Sequence, residues 1–209
     1  MKNIILPKRI FCTGVPGSRW SGITQRLYKH PLFNKTDVNL KRSYDRINQL
    51  GELEKNFHTG TYFEHNTSLP VSLETLLLDL SYSTPDDGTM LHRSHQYAYM
   101  LDDIKQKYPD DWIWLIYRPD LASYAWWFEC GGFKISYPDY SYYKDAQTMF
   151  GEITKQNAAM LTWAHKHNLP WYPLTKHWEQ QHFGYLKQPA KEYSDILCCL
   201  YKPSYNREG

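Results

Sequence analysis

A loop rich in glycine and serine near the start of the chain limits the folds that the chain can adopt. Residues 14–23 are Gly-Val-Pro-Gly-Ser-Arg-Trp-Ser-Gly-Ile. They follow a strand-like pattern at residues 8–13, and the stretch 23–30 after them favours helix. A strand, a tight loop and a helix in this order direct backbone N–H groups and the positive end of the helix dipole at the loop, where they bind phosphate. The sequence therefore predicts an α/β protein with a phosphate-binding loop.

A second strand is predicted at residues 112–117, Trp-Ile-Trp-Leu-Ile-Tyr, because a continuous apolar run is typical of a strand buried on both faces of a parallel sheet. Arg118 follows it, and a helix is expected to begin near Leu121. Ligands of parallel α/β sheets bind beyond the carboxyl ends of the strands. We therefore expect the loop and Arg118 to face one crevice.

Further elements are predicted from helical spacing and from turn residues. They are helices at 73–80, 95–108, 145–167 and 176–187 and a weak strand at 171–174. In the longest helix the inward residues are expected to be Met149, Phe150, Ile153, Met160, Leu161 and Ala164. Strands that alternate with helices predict a three-layer fold, a parallel sheet flanked by helices.

Composition excludes several classes of protein. The 209 residues suit a single domain, with 202–209 as a loose tail, and the net charge of +2 argues against an extended nucleic-acid surface. No apolar run approaches the roughly 20 residues that span a membrane, and no signal peptide is visible. The four cysteines lack metal-binding spacing, which favours reduced thiols in a cytoplasmic protein; they are Cys12, Cys130, Cys198 and Cys199. The oligomeric state is not predicted.

The loop matches the Walker A pattern, G-x-x-x-x-G-K-[ST], only in part. Gly14 and Ser21 fit its ends, but Arg19 and Trp20 stand where the second glycine and the lysine belong. A nucleoside triphosphate loop uses that lysine on the β- and γ-phosphates. A nucleotide kinase or NTPase is therefore an alternative hypothesis, as is a non-catalytic nucleotide-binding protein of the same fold.

The same segment resembles the 5′-phosphosulfate loop of the sulfotransferases, P-K-[ST]-G-T-[TS]. Pro16 matches the proline, Ser18 the hydroxyl residue, and Trp20-Ser21 the Thr-Thr pair, while Gly17 stands at the family's catalytic lysine. The resemblance implies a P-loop-like fold and the donor 3′-phosphoadenosine 5′-phosphosulfate, with no metal. It implies cofactor contacts from Gly14, Pro16, Gly17, Ser18, Arg19, Trp20 and Ser21. Arg19 is the nearest cation to stabilise the departing phosphate, so it is a candidate catalytic residue.

Two further elements resemble this family. A buried strand that ends in arginine, followed by a serine, implies that Arg118 and Ser123 grip the donor's 3′-phosphate, and the planar guanidinium fork suits that role. Upstream, the histidine of Thr-Met-Leu-His resembles the family's general base, which implies that His92 takes a proton from the acceptor. His95 and Glu129 are alternative bases.

An aromatic stretch at residues 124–143 follows Arg118 and includes Gly131-Gly132 and a tyrosine-rich segment. Aromatic faces with hydroxyl rims suit sugar or phenolic ligands. The sequence therefore predicts a sulfotransferase that moves a sulfuryl group to a hydroxyl or amine of a small-molecule, glycan or phenolic acceptor.

Overall fold

The computed structural model describes residues 4–29, 33, 46–47, 51–55, 72–78, 88–134, 145–185 and 193–203. Within them the strands are β1 (Arg9–Gly14), β2 (Arg46–Ile47), β3 (Leu53–Glu54), β4 (Met90–Arg93), β5 (Trp112–Tyr117), β6 (Tyr172–Pro173) and β7 (Leu197–Tyr201). The α-helices are α1 (Trp20–Gln25), α2 (Leu73–Leu78), α3 (Leu101–Lys107), α4 (Asp120–Glu129), α5 (Ala146–Lys166) and α6 (Lys176–Phe183). Short 3-10 helices cover Arg26–Lys29, His95–Tyr99 and Gly132–Lys134.

The central sheet has five strands in the order β4-β1-β5-β7-β6. β1 pairs in parallel with β4 and with β5, so the strand that enters the loop lies in the middle of a parallel core. β7 pairs antiparallel with both β5 and β6. The α/β class is confirmed and the core of β4, β1 and β5 is parallel as predicted, but the antiparallel strand β7 makes the sheet as a whole mixed. An apolar run such as Leu197–Tyr201 suits a strand of either direction, and only its pairing with β5 sets that direction.

Side chains that alternate along the strands form a core on each face of the sheet. On one face Phe11, Ile113 and Leu115 pack with residues of α3, α4 and α5. On the other face Cys12 and Trp114 pack with residues of α1 and α6. Helices therefore flank the sheet on both sides, as the alternation of elements predicts.

The helix predictions differ from the structure mainly at their ends. α5 begins where Asp145 accepts a hydrogen bond from the Thr148 amide, and its predicted inward residues are buried except Phe150 and Leu161, which are 37% and 38% exposed. Each of the two follows a buried methionine by one position, which turns it about 100° around the helix axis. The stretch predicted as one helix over 95–108 is a 3-10 helix followed by α3.

Three further predictions concern the cysteines, membrane-spanning helices and the C-terminal tail. None of the four cysteines forms a disulfide within the described residues. No helix in the described ranges combines the length and apolar character that crossing a bilayer requires. Most of the predicted tail, residues 204–209, lies outside the described residues, as do residues 135–144 of the aromatic stretch.

Candidate functional site

The loop after β1 begins with a tight turn. The Ser18 amide donates to the Val15 carbonyl at 3.0 Å, with Pro16 and Gly17 between them, and Gly17 has φ of 77°. These features are typical of a type II turn, which needs glycine at its third position. A Cβ at Gly17 would lie 1.8 Å from the carbonyl oxygen of Ser123 in α4. The loop backbone therefore packs directly on α4, and position 17 has no room for the lysine of the sulfotransferase loop.

The backbone at Arg19 is also unusual. Arg19 is the N-cap of α1, has φ of 64° and ψ of 8°, and provides no side-chain hydrogen bond to the first turn. A non-glycine residue in this region costs roughly 1–2 kcal/mol. Gly17 and Arg19 have positive φ whereas Ser18 between them does not. A backbone that alternates in this way, followed by a helix start without a side-chain cap, leaves N–H groups that can donate to an anion.

The Arg19 side chain is held between two aromatic rings. Its guanidinium carbon lies 3.3 Å from the centre of the Trp126 ring and 4.7 Å from that of Tyr193. Its Nη1 donates to the Tyr193 hydroxyl at 3.2 Å, while the buried Nε has no hydrogen-bond partner among the described residues. Cation–π stacking fixes the plane of the guanidinium beside the loop. A buried donor without an acceptor is costly, so Nε gains most from a ligand oxygen.

Arg118 contacts the loop although a hundred residues separate them. Its Nη1 donates to the Gly17 carbonyl at 3.2 Å, and its Nε donates to Asp195 at 2.6 Å. The side chain is only 12% exposed. A guanidinium has five N–H donors, so these two bonds leave further donors for an anion. The arrangement places a second cation against the loop.

The backbone of Arg118 is fixed by two side chains from neighbouring helices. Its carbonyl accepts a hydrogen bond from the Ser123 hydroxyl at 3.2 Å and from the Asn157 amide at 2.9 Å. Asn157 also donates to Asp120 at 2.6 Å. Ser123 is completely buried, and its hydroxyl helps to position Arg118 through the Arg118 backbone carbonyl. Sequence reasoning missed Asn157, because a polar residue inside a long helix carries no signal of what it contacts.

His95 lies at the loop. Its Nδ1 is 2.5 Å from the Gly14 carbonyl oxygen, and its ring meets Trp20 edge-on at 4.8 Å. Because a carbonyl only accepts, Nδ1 carries the proton and Nε2 carries the lone pair that a general base needs. Burial lowers the pKa of His95 to about 4 despite the bond to Gly14, so the ring is neutral at physiological pH.

His92 lies farther from the loop, on the core face of β4. It is opposite Phe11, three residues before the end of β1, which corresponds to roughly 10 Å of strand. Its ring packs 5.0 Å from that of Phe11, and neither ring nitrogen has a hydrogen-bond partner among the described residues. Burial, aided by the charge of Arg9, lowers the pKa of His92 to about 3.

The remaining predicted residues surround the loop or lie away from it. Gly14, Pro16, Ser18 and Trp20 are buried, and the Ser18 hydroxyl has no hydrogen-bond partner within the described ranges. Behind the first turn of α1, the fully buried Arg93 donates to the Ser21 carbonyl at 3.3 Å. Glu129 is exposed at the far end of α4.

A nucleotide kinase or NTPase would need an acidic residue after a buried strand to help hold Mg²⁺, and the candidate in this sequence is Asp79. The leucine-rich segment that precedes Asp79 forms α2 and not a strand, and Asp79 lies outside the described residues. Among the residues that the structure describes, no three His, Cys, Asp or Glu side chains are grouped to hold a metal ion.

No protein-family model matches the chain, and comparisons with curated proteins and with solved structures found no match.

Proposed function

We propose that this protein is a sulfotransferase with a P-loop-like topology that uses 3′-phosphoadenosine 5′-phosphosulfate. The observation that carries the proposal is the contact between Arg118 and the Gly17 carbonyl, which joins a guanidinium to a loop with an uncapped helix start. Arg19 adds a second guanidinium beside the same loop. Two cations and a set of amide donors suit a ligand with more than one phosphate.

In the proposed reaction the acceptor oxygen or nitrogen loses a proton to a base and bonds to sulfur. The bond between sulfur and the 5′-phosphate oxygen breaks, and 3′,5′-adenosine bisphosphate leaves. The loop amides and Arg19 stabilise the charge that develops on the departing phosphate, and Arg118 holds the 3′-phosphate. Positioning and charge stabilisation supply the catalysis, as in phosphoryl transfer. The acceptor is a small-molecule, glycan or phenolic hydroxyl or amine.

The nucleotide is tested by thermal shift. At a hundred times its dissociation constant, 3′,5′-adenosine bisphosphate is expected to stabilise the protein by about 2.7 kcal/mol, or roughly 5–10 °C in Tm. ATP with Mg²⁺ at the same concentration is expected to give a much smaller shift. Stabilisation by ATP with Mg²⁺ alone would overturn the proposal in favour of an NTPase.

The base is tested with a pair of histidine variants, because the geometry favours His95 over His92. Replacing His95 by alanine is expected to lower kcat by about 100-fold or more, since a general base contributes that much. The matched variant His92→Leu removes two buried nitrogens without partners among the described residues, and it is expected to keep kcat within about threefold. If single-turnover transfer assays instead show the large loss in His92→Leu and not in the His95 variant, His92 is the general base.

The packing of Gly17 supports a second candidate, a non-catalytic protein that binds the same nucleotide. Position 17 excludes the lysine that the resemblance associates with catalysis, and the Arg19 guanidinium is stacked between Trp126 and Tyr193. The two candidates share the expected response to the bisphosphate. They differ in transfer, because the second candidate shows no release of bisphosphate from the donor with any acceptor.

A further inference from the structure

A turn just before β7 lies at the same edge of the sheet as the loop. Because β7 is antiparallel to β5, its first residue, Leu197, is paired with Tyr117 at the end of β5. The turn before it, Tyr193–Ile196, is closed by a bond from the Ile196 amide to the Tyr193 carbonyl at 3.4 Å. Ile196 is fully buried, and its carbonyl accepts from the Leu174 amide at 3.1 Å. The turn is therefore anchored at the edge where the candidate site lies.

This turn presents one side chain to each arginine of the site. Asp195 accepts from Arg118 Nε at 2.6 Å, and the Asp195 side chain is 35% exposed. Two residues earlier, the Tyr193 hydroxyl accepts from Arg19 Nη1, and its ring lies over the same guanidinium. Both cations that flank the loop are thus held by one four-residue turn.

We infer that the turn Tyr193–Ile196 acts as a latch that a bound anion displaces. In the absence of ligand the Asp195 carboxylate pairs with the Arg118 guanidinium, and a ligand phosphate then replaces the carboxylate. The inference rests on the anion-binding half of the proposed function and not on sulfuryl transfer. A carboxylate is the protein group closest to phosphate in its hydrogen bonds to arginine. A phosphate that binds the Arg118 fork in a bidentate way through Nε needs the donor that Asp195 holds, so the two compete for it although other N–H groups remain. Two anions beside one guanidinium also repel each other. Asp195 therefore lowers the apparent affinity of the site, and a multiply charged ligand displaces it best.

The latch is tested by calorimetric titration of the full chain with pyrophosphate. Asp195→Asn keeps the shape of the side chain but removes its charge, and it is expected to tighten binding by at least about fivefold, the equivalent of one modest ion pair. The control Asp110→Asn changes the net charge equally at an exposed turn before β5, and it is expected to leave affinity within about twofold. Unchanged or weaker binding by Asp195→Asn would overturn the latch, because Asp195 would then only position Arg118.

Hydrogen exchange of the wild-type protein gives an independent readout. Saturating pyrophosphate is expected to slow amide exchange in residues 15–23 and to speed it in residues 193–197. Slower exchange in both segments would mean that the turn closes on the ligand, against the latch.

The two proposals can fail separately. If Asp195→Asn binds pyrophosphate more tightly but 3′,5′-adenosine bisphosphate has no advantage over ATP with Mg²⁺, the latch stands and the sulfotransferase proposal fails. If neither the wild type nor Asp195→Asn binds pyrophosphate, the site binds no anion that could displace Asp195 from Arg118, and the latch is overturned.

Discussion

Replacing Gly17 by alanine is expected to destabilise the protein by about 3 kcal/mol or more, because a positive φ and an overpacked contact both add to the cost. Gly17 has φ of 77°, and its new Cβ would lie 1.8 Å from the Ser123 carbonyl oxygen and 2.9 Å from the Trp127 Cβ. Neither neighbour is the flexible end of a side chain, so α4 has to shift. Urea unfolding measures the change.

The matched control is Gly22→Ala. Gly22 lies inside α1, and a Cβ there would meet nothing within 4 Å, so the helix propensity of alanine should stabilise the protein by roughly 0.5–1 kcal/mol. Gly17→Lys, which copies the lysine of the sulfotransferase loop, is expected to destabilise at least as much as the alanine variant and not to raise transfer above that of the wild type. Wild-type stability in Gly17→Ala would mean that the loop does not pack on α4.

Replacing Arg118 by alanine is expected to weaken binding of 3′,5′-adenosine bisphosphate by about 100-fold, since losing one partner of a partly buried charge pair costs about 2–5 kcal/mol. Adenosine 5′-phosphosulfate has no 3′-phosphate, so its affinity should fall far less. Arg118→Lys keeps the charge but not the planar fork, and it should recover little. Titration calorimetry with the two nucleotides measures the difference.

Two controls separate this binding loss from indirect effects. Lys166→Ala removes one positive charge at an exposed ion pair with Asp102 and is expected to leave both affinities unchanged. The double variant Arg118→Ala with Asp195→Asn removes the carboxylate that the single variant leaves without its cation. Equal losses for the two nucleotides would remove the 3′-phosphate role from Arg118.

The elements of the core could be predicted from the chain because their patterns are strong. The apolar run at 112–117 coincides with β5, and the spacing of Met149, Ile153 and Met160 identifies the buried side of α5. Period and apolar content report burial directly. The short run Leu197–Tyr201 is not among the predicted elements, although its length and composition suit a strand, and its antiparallel pairing with β5 makes the sheet mixed.

Some features of the candidate site could be predicted from the sequence, and others depend on the tertiary structure. The loop and Arg118 were predicted to meet because each follows a strand of the parallel core, and the bond from Arg118 to Gly17 joins them. The order of His92 and His95 along the chain says nothing about which ring faces the loop. Strand register decides that, since His92 is opposite Phe11 while His95 lies beyond the end of β4 beside Gly14.

By itself the sequence determined that a glycine-rich turn follows a buried strand and that two arginines stand near strand ends, because these features are local. Only the tertiary structure decided that Gly17 excludes any side chain and that Asp195 and Tyr193 hold the two arginines. The physical reason is the direction of β7. An antiparallel strand brings the residues before it, and not those after it, to the edge where the parallel strands end.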